Sequence, residues 1–467
     1  MPTEDKDLWP GDPNLAWQAY EPGRDGPWDL ARVAHLHRRA GFGATWKQLQ
    51  RDVERGHEEA IERLLKGNSE GPDGRSQANL DEIVQVMTES ARRDPTLARV
   101  RLVWLFRLLH SPHPLQERMT LVWHGHYATG GSKFNDAIAM LDQIEQFHQR
   151  WNMPISRMHQ AMLDSTAMQQ WLDGVNSPRE RPNENLGREF LELFALGEEV
   201  AFDEADVRAA ARALTGYREM GTTSFFHRPI VFDATRHDDG VKTLLGETGP
   251  WGPRDLVRIA SKQPAAARCI ARRLFLTFIS DLDPPPVPLI DALASRIRTP
   301  DGADVDVAKG LEIVLRSRFF HSPTVRGRKV KSPVDFVVGL VRSIGWYDPR
   351  PDAPLLDHAL IHMGQTLLDP PTVAGWPGGE AWLGAPFLIA RVNLVARLST
   401  VNSTEESLRR AAGAQGLSSP EAWANSLVLS FSGPSARENA PRPAHGDPLT
   451  YSEALRQLIS IPEAQLA

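Results

Sequence analysis

Apolar residues return with the period of an α-helix along almost the whole of this 467-residue chain, and that rhythm excludes most other folds. Leu30, Val33, Ala34 and His37 share one helical face. Trp46, Leu49, Gln50 and Val53 share the next, with Thr45 placed to cap it, and Ile61, Leu64 and Leu65 continue the series. Residues 97–109, with Val100, Val103, Trp104, Phe106 and Leu108, read as a core helix that Ser111-Pro112-His113-Pro114 breaks. Residues 115–124 read as the helix after it. Further helices are expected near 136–150, 154–173, 184–196, 203–215, 254–263, 265–279, 287–298, 304–317, 332–345 and 386–399. The exception is 225–232, which is short, aromatic and β-branched and predicts a strand, with Leu244-Leu245 as its hairpin partner.

The expected fold is mainly α: a single large multi-helical domain over 28–400, with one small β-hairpin and extended or disordered ends. Residues 1–27, rich in Pro, Gly and Asp, predict an extended N-terminal arm that docks through Trp9, Trp17 and Tyr20. Residues 401–467 predict C-terminal helices with a disordered linker near 432–448, where Pro, Ser, Gly and Ala dominate.

Charge and cysteine usage narrow the function classes. Lys+Arg number 53 against 59 Asp+Glu, for a net charge of −6, so no global basic field draws in nucleic acid. The single cysteine, Cys269, rules out an internal disulfide and a thiolate metal cluster; its place in an amphipathic helix predicts a buried small hydrophobe. No run approaches the ~18 apolar residues of a bilayer span. Arg38-Arg39 resembles a twin-arginine export signal only superficially, because residues 44–55 are charged and amphipathic. The chain as written is expected to be cytoplasmic, with export alongside a partner as the alternative.

Four blocks can carry chemistry. The first is Trp123-His124-Gly125-His126-Tyr127. Residues two apart on a helix do not face each other, so His124 and His126 can share one ion only if Gly125 ends the helix. Otherwise they are a helix-terminal and a turn histidine satisfied by backbone. The second block opens at Asn183, a natural N-cap. Glu184, Arg188 and Glu192 are spaced four apart and read either as a solvated ladder or as the flank of a partly buried Glu189 suited to acid–base work. The third, Arg236-His237-Asp238-Asp239-Gly240, offers a His and an Asp in a turn, residues that serve as ligands and as turn-formers alike. The fourth, Asp369 to Gly379, is a Pro- and Gly-rich loop whose Trp376, with the later Trp382, anchors packing or walls a pocket. Glu145-x-x-His148 has the spacing of a di-iron bundle ligand pair, but a single copy is insufficient.

Taken in order, the blocks resemble one family. They are His35-Leu36-His37-Arg38-Arg39-Ala40-Gly41-Phe42-Gly43; Arg118 to Tyr127; Asn183-Glu184-Asn185 to Arg188-Glu189 and Leu196-Gly197; Glu204 to Tyr217; His237-Asp238 with Gly240; Lys242 to Gly246; Lys331-Ser332-Pro333; and Asp369-Pro370-Pro371 to Gly379. Over roughly 30–400 the chain resembles the bacterial family known as domain of unknown function 1800. The resemblance implies that His124, His126, Glu184, Arg188, Glu189, His237 and Asp238 are hallmarks that meet in space. It also implies a possible partner, an exported sulfatase-like protein encoded nearby. A polar residue between the histidines is part of the pattern, and this chain has Gly125 there.

Two functions follow as expectations. One is an enzyme of hydrolytic or oxidative chemistry with a His/carboxylate site, holding a divalent metal ion through His124, His126, Glu189 and His237. In it Glu189, Arg188, His237 and Asp238 are the catalytic set, Arg188 holding an anion or orienting Glu189. The other is a non-catalytic companion or escort of a partner protein, in which the polar blocks form a structural hydrogen-bond network.

Overall fold

Twenty-three α-helices and two small two-stranded sheets make up the described part of the computed structural model, which covers residues 9, 11–197, 202–221, 227–348, 351–400, 404–442 and 448–467. The chain is mainly α, as the periodicity requires. Helix starts follow local chemistry. Asp29 accepts from Arg32 N ahead of the helix Leu30–Gly41, Thr45 and Gln48 close a capping box on Trp46–Arg55, and Ser332 and Asp335 do the same for Pro333–Ile344. One apolar cluster runs from Ala16 in the N-terminal segment to Ala464 near the other end, and a small second one gathers Val33, Ala34, Ala44 and Leu49 between the helices Leu30–Gly41 and Trp46–Arg55. None of the described helices is long and apolar enough to cross a membrane.

The N-terminal aromatics all dock. Trp9 sits against Phe275 and Phe319, Trp17 Nε1 donates to Leu289 O at 2.9 Å, and Tyr20 OH donates to Gly26 O at 2.8 Å. At the far end, helices Thr404–Ala414, Pro420–Leu427 and Tyr451–Ser460 feed Leu408, Leu427 and Leu455 into the shared core. Within 432–448, Pro434–Asn439 forms short 3₁₀ turns, and residues 443–447 lie outside the described set.

Several elements differ from expectation, the helix Ala353–His362 among those not anticipated. Residues 154–173 form two helices, Ile155–Leu163 and Thr166–Trp171, because the chain turns at Asp164 and Ser165. Gln77–Arg93 is a helix missing from the expected set, although Leu80, Ile83, Val84, Met87 and Ala91 recur at helical spacing and pack on the core. The expected hairpin becomes two. Ile230–Phe232 pairs antiparallel with Tyr217–Glu219, not with 244–245. Lys242–Leu244 instead pairs with Glu247–Gly249 across Leu245 and Gly246, both at positive φ, the backbone that a two-residue hairpin turn demands. Residues 225 and 226 of the expected strand lie outside the described set.

Candidate functional site

The helix Pro114–His126 does not stop at Gly125; it runs on through His126 and ends at Tyr127, whose N–H donates to Trp123 O. The two histidines therefore point to different places. His124 is fully buried, edge-on to Trp104 at 5.4 Å and to Trp376 at 5.2 Å between ring centroids. Neither of its ring nitrogens has a hydrogen-bond partner, and burial alone lowers its pKa to about 3. It is a neutral ring in an aromatic cage.

His126 is buried too, but both of its nitrogens are engaged. Nε2 lies 2.9 Å from Phe194 O and Nδ1 lies 3.1 Å from Arg273 Nη2. A carbonyl can only accept, so Nε2 carries the hydrogen and Nδ1 accepts from the guanidinium. Burial, then the Arg273 charge, hold the ring well below its ordinary pKa, consistent with this neutral tautomer.

Local chain geometry supplies the carbonyl. The helix Glu184–Glu189 widens into a π-helical turn, Phe190–Ala195, and ends at Gly197 with φ +94°. Phe194 O belongs to the last turn, where helical carbonyls have no intrahelical donor, and His126 fills that role. The turn also directs Glu192 and Leu193 toward the helix Pro264–Phe278.

Between these elements lies a cleft of about 570 Å³, a size typical of small-molecule sites. Leu193, Leu196, Leu276, Ile290 and Ala374 give it an apolar wall. Its polar groups include His126, Glu192, Arg272 and Arg273, and Cys269 also opens onto it. Arg268 is neutralised by Asp291 at 2.6 Å. Arg272 has no ion pair or side-chain hydrogen bond among the described residues, and no carboxylate there lies within ion-pair reach of Arg273. Burial draws the Arg273 guanidinium below its ordinary pKa and pushes the Cys269 thiol up. Cys269 is thus a half-buried residue on the cleft rather than a core hydrophobe.

The remaining expected site residues belong to other networks. Asn183 is the N-cap anticipated, accepting from Asn185 N at 3.0 Å. Arg188 reaches Glu184 at 3.3 Å but pairs mainly with Glu204, through two bonds of 2.9 and 2.8 Å; Glu192 is not its partner. It ties one helix to the start of the next. Glu189 is half-buried, and burial followed by the charge of Glu192 raises its pKa. His237 Nδ1 lies 2.9 Å from Thr215 O. Asp238 takes two bonds from Arg212, at 2.6 and 3.2 Å, and one from Gly240 N, which together lower its pKa. Among the described residues no group of three or more His, Cys, Asp or Glu side chains is placed to hold a metal ion. Glu145 is engaged with Arg107 at 2.5 Å and His148 with Glu117 at 3.0 Å.

The loop after Asp369 serves both of its expected roles. Asp369 Oδ1 accepts from Ser132 Oγ at 2.7 Å, Trp376 closes the cage on His124, and Ala374 forms part of the cleft wall.

A sequence profile described as protein of unknown function (DUF1800) matches residues 35–466. The chain belongs to this family. None of the curated proteins and no solved structure matches it. The family region thus extends past residue 400 and takes in the C-terminal helices. Several family blocks turn out to brace the core. Arg39 donates to Ile279 O and Val325 O, and Arg38 to Leu429 O. Arg118 lies 3.8 Å over the Phe42 ring and 2.5 Å from Asp335. Lys331 Nζ donates to Ala464 O at 2.8 Å. The twin arginines are therefore core residues that satisfy loop and helix-end carbonyls.

Arg272 and Arg273 were not anticipated. On a helical wheel an Arg-Arg pair reads as solvent face, and only the tertiary approach of His126 and Phe194 shows Arg273 turned inward. The faint signal was that Cys269 and Leu276 flank Arg273 at helical spacing on a face otherwise small and apolar.

Proposed function

We propose that this family member binds a small organic anion with an apolar body, such as a medium-chain carboxylate, in the cleft between the 190–195 turn and the helix Pro264–Phe278. The observation that carries the reading is Arg273: a part-buried guanidinium with no carboxylate partner among the described residues, braced by His126 Nδ1, on a cleft whose apolar wall is bordered by Arg272, Glu192 and the Arg268–Asp291 pair. Arg273 is part-buried, so its charge is incompletely solvated, and an incoming anion supplies a counter-charge through paired, charge-assisted hydrogen bonds. Arg272 adds a second cation at the same wall. Leu193, Leu196 and Ile290 offer surface for the hydrocarbon part.

In this reading His126 is a positioning residue, since both nitrogens are committed, and Arg273 rather than Arg188 holds the anion. Cys269 does not serve as a nucleophile there, because burial disfavours its thiolate. Arg188–Glu204 and Arg212–Asp238 support the companion view of the other polar blocks, as ties between elements.

Titration calorimetry with octanoate and with 1-octanol tests the reading. The two share an eight-carbon body and differ in charge. Octanoate should bind at least about tenfold more tightly, since a hydrogen bond to a charged group contributes about 1.5–3 kcal/mol. Equal affinities, or none for octanoate, would overturn it.

A further inference from the structure

The helix Ala353–His362 carries His358 and His362, four apart and therefore on one face, a turn from each other. Both rings are exposed, and their Nε2 atoms stand 3.2 Å apart. The ring centroids are 4.3 Å apart with planes inclined at 76°. Two neutral imidazoles can share a hydrogen across that gap. They can also present two lone pairs to one ion. With Zn–N bonds of about 2.0–2.1 Å, tetrahedral ligands sit about 3.3–3.4 Å apart. The observed spacing needs only a slight closing of that angle.

Three further features favour a cation here. The helix is held rigidly: Leu356 and Leu360 are buried, and Asp357 takes a two-pronged grip from Arg101 at 2.9–3.1 Å. His362 is its last residue, at the end where the helix dipole is negative. The pair opens onto a groove of about 280 Å³ that faces Asn393 of the helix Ala385–Thr400. Arg397 of the same helix is the groove's one charged lining residue among those described, a cation that opposes a second one and that the imidazole bonds must outweigh. No carboxylate or thiolate lines that groove, so its chemistry suits borderline ions with imidazole affinity rather than Ca²⁺ or Mg²⁺.

We propose that His358 and His362 chelate one late first-row divalent ion, Zn²⁺ or Cu²⁺, at a two-histidine site whose remaining positions face the groove. The site is separate from the anion cleft and independent of the reading given for it.

The test is calorimetric titration of ZnCl₂ into the full chain and into His358→Ala, His362→Ala and His57→Ala. The substitutions at 358 and 362 place a strong helix former at exposed positions, and circular dichroism checks that each variant is folded. The wild-type chain and His57→Ala should each take up one Zn²⁺ at this site. His358→Ala and His362→Ala should each weaken it at least about tenfold, as loss of one of two ligands requires. Zn²⁺ affinity unchanged in both variants, or no uptake by the wild-type chain at about 100 µM Zn²⁺, would overturn the proposal.

Discussion

The α-carbon of Gly375 faces the carbonyl oxygen of Gly125 so closely that a methyl group on Gly375 would overlap it, and Gly375 also holds φ +93°. The loop after Asp369 is docked on the last turn of the histidine-bearing helix through this backbone contact. Gly375→Ala should therefore cost at least about 2 kcal/mol, combining left-handed strain with a clash against main chain. Gly125→Ala should do the opposite. The nearest atom to a Cβ at Gly125 is on Trp376 at 3.8 Å, an ordinary contact. Replacing a helical glycine then stabilises by up to about 1 kcal/mol. Urea unfolding midpoints decide, and a reversed order of the two variants would refute the docking.

His124 costs stability rather than supplying it. A buried donor and acceptor with no partner are each unfavourable by about 1–3 kcal/mol. His124→Phe keeps the ring shape inside an aromatic cage and removes both polar atoms, so the thermal midpoint should rise. A fall would mean that the ring nitrogens make bonds essential to the fold.

Histidine burial also sets the response to acid. His124, His159 and His321 are lowered to about 3, and His35 and His126 lie well below the ordinary value, in every case chiefly through burial. When the chain unfolds these rings regain an ordinary pKa of about 6.5 and take up protons that the folded state does not bind. This protonation of the unfolded chain is thus without effect above about pH 6.5 and lowers stability progressively as pH drops toward 3. Each contributes a slope of up to about 1.4 kcal/mol per pH unit. Depressed carboxylates such as Asp73, Asp335 and Glu117 lose their contribution at lower pH, as it falls through the ordinary carboxylate range toward their lowered values. Unfolding midpoints at pH 7.5, 6.5 and 5.5 should decline steeply over the last step, and His124→Phe should lessen that slope. A flat profile would contradict the burial of neutral rings.

Arg188 should prove dispensable for ligand binding. Its pairs with Glu204 and Glu184 are partly exposed, and such pairs contribute at most about 1 kcal/mol. Arg188→Ala should lower stability by less than that and leave octanoate affinity unchanged. Calorimetry of the variant is the check, and a tenfold loss of affinity would return Arg188 to the site.

Much of the architecture was legible because burial imposes a period on sequence. Val100, Val103 and Trp104 announce their helix, and Asn183, Thr45 and Ser332 mark helix starts through side-chain chemistry alone. Gln77–Arg93 was legible too, through Leu80, Ile83, Val84, Met87 and Ala91, but its narrow stripe is diluted by the polar residues around it. The site was legible only in part. The His-Gly-His block places His126 on the cleft, but whether Gly125 stops a helix depends on what surrounds it, and here the helix continues. Of the two readings of the Glu184–Glu192 block, spacing alone does not choose; Glu189 is half-buried because of how its helix packs. The pairing of Arg188 with Glu204 instead of Glu192, and the inward turn of Arg273, depend on how neighbouring helices approach, which spacing within one helix does not encode.

The measurement that bears most directly on the central claim is the octanoate affinity of Arg273→Gln beside the wild-type chain, with unfolding midpoints taken to confirm that both are folded. Glutamine keeps a polar side chain near His126 and the cleft while removing the charge. The account predicts a loss of at least about tenfold in affinity, the value of one charge-assisted anchor. An unchanged octanoate affinity in folded Arg273→Gln would contradict it.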